Sequence, residues 1–372
     1  MDAPVVSTSY GRLRGASAPG GLVWRGIPYA TAERFAPPRP VEAWAGERDA
    51  TIPGAQAPQL PSILDMLGPA TLAQSEACLT LDVWTPPTPT PAPGGHPVLV
   101  WIHGGAFTNG TGAAPWYDGT AFCRAGCVLV SINYRLGVLG FLAAPELGPT
   151  AGNLGLLDQI AALRWVRDEI AAFGGDPGNV TVFGESAGGT SVVSLLTSPL
   201  AENLFHRAWA MSPSLTQLRS AERAQAVATE LLAAAGLGAG GGARLRDLPV
   251  ERLLEAQGEI LRSSDPFTAF APTPDGAVLP AAGVTTAIGR CWGDAVPLVL
   301  GTTTDEMALF MAFDRKVQGL DDAGLERRAQ PLFGERTPAV LAAYRDALPG
   351  SPPSRIAAAI ATDHTFRMPA TR

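Results

Sequence analysis

The stretch Thr181-Val182-Phe183-Gly184-Glu185-Ser186-Ala187-Gly188-Gly189 restricts the fold of this chain more than any other. Its first residues predict a short strand, Gly-x-Ser-x-Gly predicts an abrupt turn, and the residues beyond predict a helix. Such a turn lifts one serine hydroxyl onto a strained corner where a substrate carbonyl can reach it. Glycines on both sides remove the β-carbons that would crowd the turn and block neighbouring backbone. A pattern this short also arises by chance. Its meaning rests on whether the chain supplies an oxyanion hole, an acid and a base.

The surrounding text fits the same picture. The runs 98–102 (Val-Leu-Val-Trp-Ile) and 128–132 (Val-Leu-Val-Ser-Ile) are nearly continuous apolar segments, the mark of strands covered on both faces. Leu156, Ile160, Leu163, Val166, Ile170 and Phe173 then recur at three- and four-residue spacing, an amphipathic helix that stops at Gly174-Gly175. Strand, helix, strand, turn, helix is a βαβ rhythm, so the fold class is α/β with a mostly parallel central sheet. Short edge strands are expected over 5–14 and 22–24, an alternating strand over 75–84, and another strand over 296–301. The Pro-rich segment 85–97 reads as an exposed connection. Residues 219–262, broken by glycines at 236–242, read as a peripheral helical insertion, and helices return over 321–346 and 354–366. The expectation is one domain over 1–372.

Composition excludes several functions. With a formal net charge of −7 and no basic run, the chain offers no nucleic-acid surface. No apolar run approaches the ~18 residues of a membrane span. Met1-Asp2-Ala3-Pro4 has no basic stretch followed by an apolar core, so a soluble cytoplasmic protein is expected. Cys78, Cys123, Cys127 and Cys291 lack metal-binding spacing and read as free buried thiols. Neither a metal nor a cofactor is expected.

A serine hydroxyl becomes a useful nucleophile only beside a histidine base steadied by a carboxylate. In strand–turn–helix proteins these follow in the order serine, acid, histidine. Glu306 stands just past the strand over 296–301, where open α/β sheets place their sites. Asp305 or Glu306 capping the next helix is an equal alternative on position alone. His103-Gly104-Gly105-Ala106 follows the first buried strand, and its small residues suit backbone N–H groups aimed at one point. With the N–H of Ala187 it would give a three-donor oxyanion hole from Gly105, Ala106 and Ala187.

These motifs together resemble the type-B carboxylesterases, the family of bacterial para-nitrobenzyl esterases and cholinesterases. The likeness also takes in Arg25-Gly26-Ile27-Pro28-Tyr29-Ala30, Ser75 to Leu79, Asn133-Tyr134-Arg135-Leu136-Gly137, the block from Gly152 to Gly189, Leu204 to Ala208, Pro272 to Gly276, and Gly301 to Glu306. It implies an α/β-hydrolase fold with helices on both sheet faces. It also implies hydrolysis of a small-molecule ester through an acyl-enzyme on Ser186. By resemblance Glu306 is the acid, Gly105, Ala106 and Ala187 form the oxyanion hole with Gly104 supporting them, and Glu185 is a buried acid that steadies the site. Loops 60–75 and 265–272 would shape the substrate pockets. A monomer is expected.

Three departures stand out: Ala77 replaces an aspartate before Cys78, Met307 replaces a glycine after Glu306, and Pro213 interrupts a Ser-Gly pattern at Met211-Ser212. The larger departure is the base. His96 lies in the Pro-rich segment and should be exposed; His103 matters through its backbone; His206 precedes the acid and should be structural. Only His364 follows Glu306, at a helix end that suits the role poorly. The expectation is a catalytic histidine beyond Arg372 and a truncated chain. The alternatives are a catalytically inactive binding protein of the same fold, or a gene fragment.

Overall fold

The two apolar runs become neighbouring parallel strands, as their lack of alternation requires. The computed structural model describes residues 3–62, 65, 72–88, 90, 93–263, 269–312 and 314–371, with nothing said of the Ser263 side chain. Within the pocket loops, residues 63, 64, 66–71 and 264–268 lie outside the described residues. The backbone groups into two units: residues up to Met211 with Gln217–Val299, and Ser212–Thr216 with Leu300–Arg372.

In the first unit, β1 (Val5–Ser7), β2 (Arg12–Arg14), β3 (Ala16–Ala18) and β4 (Gly21–Pro28) open the chain, followed by β5 (Glu47–Asp49) and β6 (Thr80–Thr85). Then come β7 (His96–Ile102), β8 (Val128–Ile132), β9 (Gly175–Glu185) and β10 (Arg207–Met211). A last strand, β11 (Leu298–Gly301), starts in this unit. Strands β1, β2 and β5 make a small separate sheet; the main sheet runs β11-β10-β9-β7-β8-β6-β4-β3. Its centre, β8-β7-β9-β10, is parallel, and its β6-β4-β3 flank is antiparallel.

Val98, Val100, Ile102, Val128, Val130, Ile132, Val180 and Val182 are all completely buried. Each such side chain contributes about 1.5–3 kcal/mol relative to an exposed one. The predicted amphipathic helix is Leu154–Glu169 with a 3-10 turn to Phe173, and it stops at Gly174, whose φ of 80° favours glycine. Arg135 and Asp158 form a buried bidentate ion pair, with Nε–Oδ2 at 2.8 Å and Nη2–Oδ1 at 2.7 Å. The Arg135 N–H also donates to Asp158, so the pair fixes backbone beyond β8 as well as charge.

Several expectations are corrected. The strand expected over 75–84 begins only at Thr80; before it Ala77 N–H turns onto the Ser75 hydroxyl, and Glu76 pairs with Arg34. His96 is buried rather than exposed, because both ring nitrogens meet carbonyl oxygens, of Gly126 and Thr88, at 2.9 Å. All four cysteines are free, but only Cys78 and Cys123 are buried; Cys127 and Cys291 are half-exposed. Among the described residues no helix is long and apolar enough to cross a membrane.

One buried acid makes the fold sensitive to pH. Asp82, on β6, accepts the Gly26 N–H at 2.8 Å, and burial pushes its carboxyl up to about 6 against the opposing pull of that bond and of Arg25. The folded protein therefore holds the Asp82 proton more tightly than the unfolded chain does. The associated stability is fully present below about pH 4 and lost as pH rises through about 6. Asp82→Asn keeps an acceptor for Gly26 and cannot ionise. In denaturant titrations it should stabilise the fold by about 1–3 kcal/mol near pH 8 and by almost nothing near pH 4. An equal effect at both pH values would contradict this.

Candidate active site

Strand β9 ends at Glu185 and the helix Ala187–Thr197 begins at once, so Ser186 alone makes the turn. It does so at φ 56° and ψ −120°. A residue with a β-carbon adopts such backbone at a cost of about 1–3 kcal/mol, and only where its surroundings impose it. Here they do. Ser186 N–H donates to Met211 O at 2.9 Å, and Ser186 O accepts the Thr190 N–H at 2.8 Å. The flanking glycines are required by contact: a Cβ on Gly184 would lie 2.5 Å from the Gly188 carbonyl carbon, one on Gly188 2.0 Å from Ile102 O, and one on Gly189 2.6 Å from Met211 O. Ala187 opens the helix, where N–H groups lack intrahelical partners and the helix dipole is positive.

The loop after β7 reaches the same turn. A Cβ on Gly104 would stand 2.8 Å from Glu185 O and 3.2 Å from the Ser186 Cβ, so only glycine permits this approach. Gly105, Ala106 and Phe107 follow at φ 113°, 53° and 60°, a left-handed run that turns the chain sharply. Phe107 anchors it, fully buried against Phe141 at 4.9 Å between ring centroids, with Gly137 N–H donating to Phe107 O at 2.7 Å. The His103 ring stacks on Tyr134 at 4.5 Å, donates from Nδ1 to Gly104 O at 2.8 Å, and is driven down to about 4 by burial. It is a neutral strut at neutral pH. The loop borders a cavity of ≈ 420 Å³ whose walls include Trp116, Tyr117 and Glu185. Glu185 was expected to be buried and is exposed, because the last residue of β9 points its side chain toward this opening.

In the second unit, Ser212 O–H and Thr303 N–H both donate to Oε1 of Glu306 at 2.6 Å. Asp305 is engaged elsewhere, in an ion pair with Arg355. Neither donor to Glu306 belongs to the following helix, Ala308–Ala312, so its carboxylate does more than cap that helix. Ser212 is a partner of Glu306 that was not among the expected site residues. Its backbone at φ 47° and its N–H bond to Gly301 O at 2.7 Å place the hydroxyl, and its sequence signal was the Ser-Gly pattern at Met211-Ser212 that Pro213 interrupts. The four histidines are not equivalent. His206 accepts the Val180 N–H on Nδ1 at 3.1 Å and braces the start of a strand pairing. His364 is exposed on the π-helical turn Asp363–Arg367.

A sequence profile described as the carboxylesterase family matches residues 2–341. The para-nitrobenzyl esterase of Bacillus subtilis (strain 168) is 40% identical over 337 residues, covering 88% of this chain and 68% of that protein. The phenmedipham hydrolase of Pseudarthrobacter oxydans is 36% identical, covering 98% of this chain and 73% of that protein. A crystal structure of a Geobacillus stearothermophilus carboxylesterase matches with a TM-score of 0.88 at 40% identity, over 99% of this chain and 75% of the other.

The contact between Gly188 and Ile102 can be tested directly. Gly188→Ala places its Cβ 2.0 Å from a backbone oxygen that cannot swing aside, whereas Gly238 has nothing within 4 Å. Gly188→Ala should lower unfolding stability by about 3 kcal/mol or more, beyond ordinary overpacking. Gly238→Ala should change it by no more than about 0.5 kcal/mol. Thermal melting that leaves Gly188→Ala level with the parent would refute the close approach.

Proposed function

The chain belongs to the carboxylesterase family and is a serine ester hydrolase, and on that premise we propose that Ser186 is its nucleophile. The observation that carries this reading is the Ser186 backbone, held at φ 56° where β9 meets a helix N-terminus. The hydroxyl adds to the ester carbonyl carbon, and the carbonyl oxygen becomes an oxyanion. The N–H groups of Gly105, Ala106 and Ala187 receive that charge, which rigid dipoles stabilise more than reorienting water does. The tetrahedral species collapses, the alcohol leaves with the serine's proton, and the acyl group stays on Ser186. Water then adds to the acyl carbon, releasing the acid and returning the proton to Ser186.

Glu306 serves as the acid that orients an imidazole base and offsets its positive charge. Two bonds hold its Oε1, and among the described residues Oε2 takes none, which leaves it to accept an imidazole N–H. Gly104 supports the oxyanion loop by its approach to Ser186. Glu185, exposed beside the nucleophile, adds negative charge to the cavity that would take part of a small ester. The relatives' names, for a para-nitrobenzyl ester and for phenmedipham, fit substrates of that size. The four unpaired cysteines suit a reducing compartment and hence the cytoplasm. None of the four histidines is assigned as the base. The rings of His96, His103 and His206 already bond to backbone.

Turnover of p-nitrophenyl acetate tests the assignment. The parent chain should show a residual acceleration of about 10³–10⁴ over water, the level an oxyanion hole and binding sustain without a complete triad. Added imidazole should raise the rate above its own background, and Ser186→Ala should abolish both effects. Mass spectrometry of acid-quenched protein should find the acetyl group on Ser186. An unchanged rate in Ser186→Ala rejects the nucleophile. A rate indifferent to imidazole and lost in His364→Ala would make His364 the base.

A further inference from the structure

We propose that Gln59 is a positioning residue for the oxyanion loop, an inference that rests on the assignment of Gly105 and Ala106 as oxyanion donors. The loop is strained, and strained backbone keeps its shape only when outside contacts over-determine it. Gly105, Ala106, Phe107 and Gly110 all have positive φ, and two of the four carry a side chain. The entry to the loop is held by β7 and by the buried rings of Phe107 and His103. Its exit is Gly110, which folds back onto the entry: a Cβ there would lie 2.5 Å from His103 Nδ1 and 2.6 Å from Gly104 O. Gly104 in turn presses on Ser186. Whatever grips Gly110 therefore sets how the loop closes against the nucleophile.

Gln59 grips it from a separate segment of chain. Gly110 N–H donates to Gln59 Oε1 at 2.8 Å, and Gln59 Nε2 donates to Gly110 O at 3.0 Å. One side chain thus pairs with both backbone groups of one residue, as a neighbouring strand would. Nε2 also donates to Ala57 O at 3.0 Å, and the Gln59 N–H donates to Gln74 Oε1 at 3.0 Å, so the grip is itself anchored. Asn109 adds a second tie, donating from Nδ2 to Leu60 O at 2.6 Å. Within the loop, Gly105 O accepts the N–H groups of Thr108 and Asn109 at 3.0 and 2.9 Å, which carries the constraint back to the oxyanion donors.

At neutral pH an amide meets this geometry and the charged side chains do not. A carboxylate accepts from the Gly110 N–H but has no hydrogen for the Gly110 carbonyl, and a lysine or arginine has no acceptor. Gln59 also borders the ≈ 420 Å³ cavity, which invites a role in holding substrate. Its amide oxygen and nitrogen are already engaged with backbone, so its action passes through the loop. A residue that acts through the oxyanion hole alters the transition state and spares ground-state binding.

The test compares the full chain with Gln59→Glu and Gln59→Met, with Ser186→Ala as the control. The readouts are p-nitrophenyl acetate kinetics and hydrogen exchange at the amides of Thr108, Asn109 and Gly110. Both Gln59 variants should lower kcat about tenfold or more, less than outright removal of an oxyanion donor, with KM within about twofold. Exchange at all three amides should accelerate. The Gln59→Glu deficit should shrink as pH falls through the carboxyl range, because a protonated carboxyl both accepts and donates as the amide does. Three results would overturn the proposal: a raised KM at unchanged kcat, faster exchange with kcat intact, or exchange at Thr108 and Asn109 unaffected by both variants. If Ser186→Ala retains full turnover, the reading of the site has failed. The exchange data then decide by themselves whether Gln59 holds the loop.

Discussion

Backbone touches backbone where the central strands end, and the arrangement of the first unit depends on that contact. Gly188 lies against Ile102 O, Gly189 against Met211 O, and Gly184 against the Gly188 carbonyl. Three strand ends, those of β7, β9 and β10, therefore converge on one turn. Parallel pairing delivers them in step, with Ile102 opposite Gly184 and Met211 opposite Glu185. A register slip of one residue would reverse every side chain and part these contacts. The strain at Ser186 persists because this convergence fixes it from both sides.

Buried charge and polar groups around the sheet also hold backbone. Arg135 and Asp158 steady the segment beyond β8. Arg219 is buried with no carboxylate partner among the described residues, and it donates to the carbonyl oxygens of Phe141, Ala269 and Ala271. Burial draws its guanidinium down to about 9, yet a group still charged at neutral pH can stay there because those oxygens take its donors. His103 works in the opposite sense, as a neutral ring whose hydrogen bond and stacking shape the loop.

The sequence made the centre of the fold legible because local pattern and burial coincide there. Continuous apolar runs gave the parallel strands, three- and four-residue spacing gave the helix Leu154–Glu169, and glycine spacing gave the turn at Ser186. What escaped depended on distant partners. His96 looked exposed in its Pro-rich setting, and only the carbonyls of Gly126 and Thr88 explain its burial. Ser212 and Glu306 are 94 positions apart, and Gln59 and Gly110 are 51 apart, so neither pair leaves a local signature. The exposure of Glu185 was hidden similarly, since it follows from where β9 ends relative to the cavity. Side chains that bond to backbone across the chain are what pattern reading misses.

On the proposed assignment of Ser186, its strained turn and the loop after β7 are preorganised around one developing oxyanion. A crystal structure of the chain reacted with an alkyl fluorophosphonate tests it most directly, because the phosphonyl oxygen occupies the place of that oxyanion. The account predicts phosphorus bonded to Ser186 Oγ, and the phosphonyl oxygen within about 2.7–3.1 Å of the amide nitrogens of Gly105, Ala106 and Ala187. An adduct on another residue would contradict it. So would an adduct on Ser186 whose phosphonyl oxygen points away from those three amides.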